Sequence, residues 1–163
     1  MSVHEIKLFS FASTKKSVEA VFAFFSHIDK YYLQLSGGHK RFLLVNADAL
    51  TEGVSIEDEE TAGGQHLKHT YRVVTVKENR YIKLVSDPSI VRIFRFFRLP
   101  VKVTVEFEFK DVRQGRTEAF SCLTLEFRNK ATGLLARVMG TEAIWQAHLD
   151  EEMENGLRII EAQ

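Results

Sequence analysis

The chain has 163 residues, 22 Lys+Arg against 22 Asp+Glu, 45% hydrophobic and 27% charged residues. This length and composition suit one folded domain over 1–163 with a sizeable core and exclude a disordered chain; the zero net charge sets up no field for nucleic acid. A single cysteine, Cys122, excludes an internal disulfide, and the absence of a signal-like N-terminus or a bilayer-length apolar run predicts a cytoplasmic protein without stable membrane insertion.

Residues 4–11 alternate, with Ile6 and Leu8 against Glu5 and Lys7, and predict a strand. Ser17 is placed to cap a helix whose apolar face is Val18, Val21, Phe22 and Phe25. A second short helix is expected over 29–35, ending at Gly37-Gly38. Strands are then predicted over 41–46, 53–61, 66–76 and 81–86, with Gly63-Gly64 and 77–79 as turns. In 101–110, Val101, Val103, Val105, Phe107 and Phe109 alternate with polar residues, the pattern of an antiparallel strand with one buried face. A hairpin through Gln114-Gly115 returns over 118–128.

The run 132–161 contains no proline and predicts one long helix, about 45 Å at 1.5 Å per residue. At about 100° per residue, Leu134, Val138, Trp145, Leu149, Met153 and Ile160 fall on one arc. Glu152 projects into that arc and His148 lies one turn earlier at its edge, a spacing that stacks the two side chains. A carboxylate facing a core is costly unless paired, protonated or metal-bound. Glu142 faces the same stripe and is expected to pair with an arginine or face a cavity mouth.

The predicted order is one strand, two helices, six strands and a long helix. Such a sheet must cover one face and the helix must bury its stripe, so a curved antiparallel sheet wrapped around the helix is the expected α+β architecture, with a cavity between them. This order, with Ser17-Val18-Glu19-Ala20-Val21-Phe22 opening the first helix, Gly63-Gly64 between strands and the terminal helix, resembles the START-like (SRPBCC, helix-grip) superfamily. That superfamily includes birch-pollen-allergen and polyketide-cyclase-like proteins. The resemblance implies an internal cavity for a hydrophobic small molecule, with catalysis there in some members.

Three further segments are similar to the diacetylphloroglucinol-hydrolase-like branch: Gly38-His39-Lys40-Arg41-Phe42, Glu59-Glu60 before Gly63-Gly64, and His148-Leu149-Asp150-Glu151-Glu152. That similarity implies zinc held by His39, Glu59 or Glu60, His148 and Glu152. Strand parity from Val54 and Ile56 turns Asp58 and Glu60 inward, which favours Glu60. The chain is much shorter than that hydrolase. Mixed His and carboxylate ligands suit Zn²⁺ and also Mn²⁺ or Fe²⁺.

His66 and His69 point to opposite faces of their strand, and His69 shares parity with Tyr71. His69 and Tyr71 are therefore the candidate catalytic or ligand-orienting groups, although a satisfied core histidine is the plainer reading of His69. In 89–98, Ile90, Ile93, Phe94 and Phe97 share one helical face and Arg92, Arg95 and Arg98 another. A short helix or irregular strand packing its phenylalanines on the body is favoured over a lid or membrane anchor. Residues 57–60 read for the most part as a solvated strand edge, and no activating residue adjoins Cys122.

The expected function is binding of an aromatic or polyketide-like molecule in the cavity, with metal-dependent hydrolase, lyase or cyclase chemistry. The alternatives are a non-catalytic lipid or small-molecule carrier and a regulatory partner acting through the aromatic–basic segment. Nothing in the sequence sets the oligomeric state.

Overall fold

The computed structural model describes residues 4–94, 96–112 and 115–163. Strand β1 (Glu5–Thr14) leads to α1 (Val18–Ser26), a 3-10 turn (Ile28–Lys30) and α2 (Tyr32–Leu35). Seven strands follow: β2 (His39–Val45), β3 (Ser55–Ala62), β4 (Gln65–Lys77), β5 (Tyr81–Ser86), β6 (Ser89–Ile93), β7 (Phe97–Val112) and β8 (Arg116–Phe127). Helices α3 (Lys130–Val138) and α4 (Thr141–Ala162) complete the chain.

The strands form one antiparallel sheet in the order β1-β8-β7-β5-β4-β3-β2, with β6 paired to both β4 and β7. In β7 the inward residues Val101, Val103, Phe107 and Phe109 are buried, as their alternation requires. Their partners across the cavity come from α4, where Trp145, Leu149, Met153, Leu157 and Ile160 are buried in the same core. Ser17 caps α1 through the Ala20 amide, so the local signal and the tertiary position agree. No described helix is long and apolar enough to cross a membrane.

Two details differ from the sequence expectation. The predicted terminal helix is two helices, because Gly140 adopts φ 74, a left-handed conformation that ends α3 and starts α4. This break takes α3 off the α4 arc. Leu134 and Val138 are 56% and 75% exposed, and Glu142 is exposed and pairs with Arg137 instead of facing the cavity. The helix that carries His148 and Glu152 is thus 22 residues, about 33 Å long.

The second difference is β6, which makes seven strands after the helices instead of six. Val91, Ile93 and Leu99 of the β6–β7 hairpin are buried, whereas Phe94, Phe96 and Phe97 are exposed at its tip. The expected packing of Phe94 and Phe97 on the body is therefore incomplete; Phe94 only brings its ring edge over Gly64. Arg95 and Gln114 lie outside the described residues.

The link between α2 and β2 is tightly constrained. A Cβ on Gly38 would lie 1.9 Å from the Thr61 carbonyl oxygen and 3.3 Å from Cε1 of His148, whereas Gly37 has open space around it. Gly38→Ala should therefore lower stability by about 1–3 kcal/mol, the usual range for overpacking. Gly37→Ala should stay within about 1 kcal/mol of the parent. Paired thermal melts of the two variants check this, and equal melts would contradict the close approach at Gly38.

Candidate metal centre

Cross-strand register brings the polar residues of the interior together. His39 opposes Glu60 across β2 and β3, and an irregularity between His39 and Arg41 lets His39 point inward while Arg41 pairs with Glu57. On β3, Asp58 and Glu60 are buried while Glu59 reaches His66 and Lys68 on the other face. Helix α4 supplies His148 and Glu152 from above. Ligand atoms of His39, Glu60, His148 and Glu152 all lie within 4.8 Å of one another.

The hydrogen bonds around this cluster fix the ring orientations. His39 Nδ1 donates to the Tyr32 carbonyl at 2.6 Å, which directs Nε2 into the cluster. The Tyr32 ring stacks on His39 at 3.7 Å between centroids, and its hydroxyl donates to Glu60 Oε2 at 3.4 Å. Ser36 donates to Glu151, so its oxygen accepts from His148 Nδ1 at 3.3 Å. Both histidines thus use Nδ1 outward and present Nε2 inward, the arrangement that hydrogen-bond partners at Nδ1 impose on metal-binding histidines.

Inside the cluster, His148 Nε2 lies 3.1 Å from Glu60 Oε2 and 3.6 Å from Glu152 Oε1. His39 Nε2 lies 2.5 Å from Glu152 Oε1 and 3.8 Å from Glu60 Oε2. Despite that proximity, His39 Nε2 makes no hydrogen bond among the described residues, because its neighbours sit off the N–H direction. A buried ring nitrogen this close to carboxylate oxygens of two residues is placed to share a cation with them. Two imidazoles and two carboxylates are a donor set suited to Zn²⁺ and its neighbours.

The electrostatics describe the same crowding. Burial opposes a charge on His39, but Glu152, the Tyr32 carbonyl and Glu60 outweigh it and raise the imidazole to about 9. For His148, burial is likewise outweighed by Glu60 and Glu152. Burial, reinforced by Asp58, raises Glu60 above the usual carboxylate range. The Tyr32 and Tyr71 phenols are pushed well up, first by burial and then by the same carboxylates, so both remain hydrogen-bond donors at neutral pH.

Of the two candidate ligand-orienting residues, Tyr71 lines the cavity, and His69 lies behind it with its ring edge-on to Tyr71 at 4.2 Å. His69 Nε2 is 3.1 Å from Asp58 Oδ2. The cavity measures about 60 Å³ and is walled by Phe25, Leu84, Phe107, Leu149 and Trp145, with Asp58, Glu60, His148 and Glu152 at its polar end. Trp145 is fixed by donating to buried Gln65 at 2.8 Å. Cys122 is half-buried against Thr124 on another part of the sheet, its thiol raised by burial.

Sequence reasoning did not single out Tyr32, Ser36 or Asp58 as part of the site. For Asp58 a signal exists: a two-residue Gly63-Gly64 turn pairs Ala62 with Gln65 and, stepping back by twos, Asp58 with His69 and Ile56 with Tyr71. Tyr32 and Ser36 act through a backbone carbonyl and a short hydroxyl on an irregular segment, which no periodicity marks.

The antiparallel sheet and the long helix packed against it have the helix-grip architecture. Solved structures agree on the fold. The Zhui aromatase/cyclase from Streptomyces sp. R1128 superposes with TM-score 0.73 at 13% identity, covering 97% of this chain and 94% of that one. Truncated norcoclaurine synthase from Thalictrum flavum gives TM-score 0.69 at 8% identity, covering 96% and 93%. Ara h 8.0201 gives TM-score 0.62 at 8% identity, covering 98% and 99%. No family model and no curated protein sequence matches the chain.

The raised His39 sets a pH dependence for metal-free protein. A histidine with a raised folded-state value adds stability that is fully present below its unfolded value near 6.5 and is lost as pH climbs through about 9. Chelator-treated protein should therefore lose up to about 3 kcal/mol between pH 6.5 and 9, read as a falling melting temperature. Glu152→Gln should flatten that slope, and an unchanged slope in the variant would refute the His39–Glu152 coupling.

Proposed function

We propose that this protein binds a hydrophobic small molecule of aromatic or polyketide-like character in its cavity. We further propose that a divalent metal, zinc first, sits on His39, Glu60, His148 and Glu152 and supports hydrolase, lyase or cyclase chemistry. The observation that carries this reading is the convergence of two inward Nε2 atoms and two carboxylates at the polar end of an apolar cavity. When bound, such a metal supplies Lewis acidity and activates water.

The chain's own groups have separable roles in this reading. Tyr32 and Ser36 hold the two imidazoles by Nδ1, leaving Nε2 of each for the metal. The Tyr71 hydroxyl donates to a polar oxygen of the ligand, and His69 fixes the Tyr71 ring from behind. Phe25, Phe107 and Trp145 cover the apolar part of the ligand and exclude water. One structural neighbour is named an aromatase/cyclase, and by analogy of fold this reading takes an aromatic or polyketide-like ligand.

Both nitrogens of His148 are engaged, Nδ1 by Ser36 and Nε2 by Glu60, so the His148–Glu60 pair carries a proton beyond the one on Nδ1. Metal binding then displaces protons. Purification with supplemented zinc should give at least about one equivalent per chain, with about one or more protons released at pH 7 by calorimetry in buffers of different ionisation enthalpy. Glu152→Ala and His148→Ala should each weaken zinc binding by at least about tenfold. Absence of metal after supplementation would sink the metal chemistry, and a copurified hydrophobic ligand in native mass spectra would then identify a carrier.

A further inference from the structure

We propose that Asp58, His69 and Glu60 form a second divalent-cation site, making the cavity's polar end a two-cation centre bridged by the Glu60 carboxylate. This rests on the first site proposed above and extends it.

Asp58 and His69 face each other across β3 and β4, and their side chains are 1% and 0% exposed. Among the described residues, neither oxygen of Asp58 and neither ring nitrogen of His69 makes a hydrogen bond. The 3.1 Å approach of His69 Nε2 to Asp58 Oδ2 is off the direction that a hydrogen bond needs. Apart from that off-axis ion pair and the nearby Tyr32 hydroxyl, four buried polar atoms on two adjoining side chains lack a well-aligned hydrogen bond, a cost that native interiors seldom carry. Ligand atoms of Asp58, Glu60 and His69 lie within 4.8 Å of one another.

Glu60 belongs to both groups. Its contacts with Tyr32, His39 and His148 all use Oε2, and among the described residues no hydrogen bond or ion pair uses Oε1. One oxygen therefore serves the first site and the other is available to the second. A bridging carboxylate of this kind suits cations about 3.5–4 Å apart.

Charge points the same way. Asp58, Glu60 and Glu152 are three carboxylates at one cavity end. One divalent cation balances two of them. Two cations balance all three and leave one positive charge, which favours a ligand with an anionic oxygen, such as a phenolate or enolate. With one imidazole and two carboxylates, the second site is richer in oxygen than the first and accepts Mn²⁺ as well as Zn²⁺.

The test titrates the full-length chain separately with Zn²⁺ and Mn²⁺, reading stoichiometry by native mass spectrometry and spin coupling of bound Mn²⁺ by electron paramagnetic resonance. The parent should bind two cations and show an exchange-coupled manganese spectrum. Asp58→Asn and His69→Gln should each bind one and show an isolated-ion spectrum, with circular dichroism confirming the fold; if one fails to fold, the other decides. One cation in parent and variants alike would overturn the second site and leave the first standing. No cation in the parent would overturn both, and two cations retained in both folded variants would overturn the assignment to Asp58 and His69.

Discussion

Taking a carboxylate out of water costs several kcal/mol unless nearby groups offset it, and Asp58, Glu60 and Glu152 share one interior. Two of them come from alternate positions of β3 and the third from α4, so the cost falls on the contact between sheet and helix. Close approaches of the backbone mark the same region. Gly38 lies under the Thr61 carbonyl and His148, and a Cβ on Gly63 would meet Ile144 at 2.9 Å. The helix sits low enough on the sheet to bury Asp58 and Glu60 and to cover most of Glu152, and histidines surround all three. Packing and site chemistry are one constraint.

The groups that offset this cost are themselves held from outside the cluster. The segment from Tyr32 to His39 does most of this holding: Tyr32 gives a carbonyl, a ring and a hydroxyl, and Ser36 bridges His148, Glu151 and the Gly38 amide. Helix α2 spans only Tyr32–Leu35 and has no side-chain N-cap. Its stability therefore comes from buried Tyr32 and Leu35 and from contact with β2 and α4, not from intrinsic helix strength. Asn155 adds a tie from α4 by donating to the Leu35 carbonyl. An irregular segment made rigid by tertiary contacts is well suited to fixing two ring orientations at once.

How much of this was legible in the chain follows from the range of each signal. Alternation in 101–110 and the Ser17 cap are local, and both match the structure. Parity placed Glu60 inward and Glu59 outward because β3 and β4 pair without a bulge. The absence of proline in 132–161 predicts too long a helix; Gly140 carries the break and takes Leu134, Val138 and Glu142 off the buried stripe, Glu142 finding the arginine partner that was its other expectation. Leu134 of the predicted arc is exposed, yet Leu149 and Met153 flank Glu152 on the buried face and explain why it reaches the interior. What no pattern in the sequence carries is the outward use of Nδ1 by His39 and His148, since it depends on a carbonyl and a hydroxyl from another segment.

The two ends of the cavity differ in how readily they can move. At the polar end, His39, Glu60, Asp58 and His69 stand on paired strands in fixed register. At the apolar end, Phe25 packs on Phe107 and Phe109 at 4.9 and 5.2 Å between centroids, across a contact between α1 and β7 that has no hydrogen-bond ladder. A cavity of about 60 Å³ is smaller than ordinary ligand pockets of several hundred Å³, so a ring-sized ligand must displace something. The aromatic contact can slide by rotamer and helix shifts, whereas the strand-borne part of the polar cluster cannot shift its backbone without breaking strand pairs. Accommodation therefore falls on the aromatic side, against a fixed set of donors and carboxylates. Under the function proposed above, this asymmetry favours a compact flat molecule with one polar edge over a long acyl chain, because the former needs one aromatic wall to yield while the latter needs the core to open along α4.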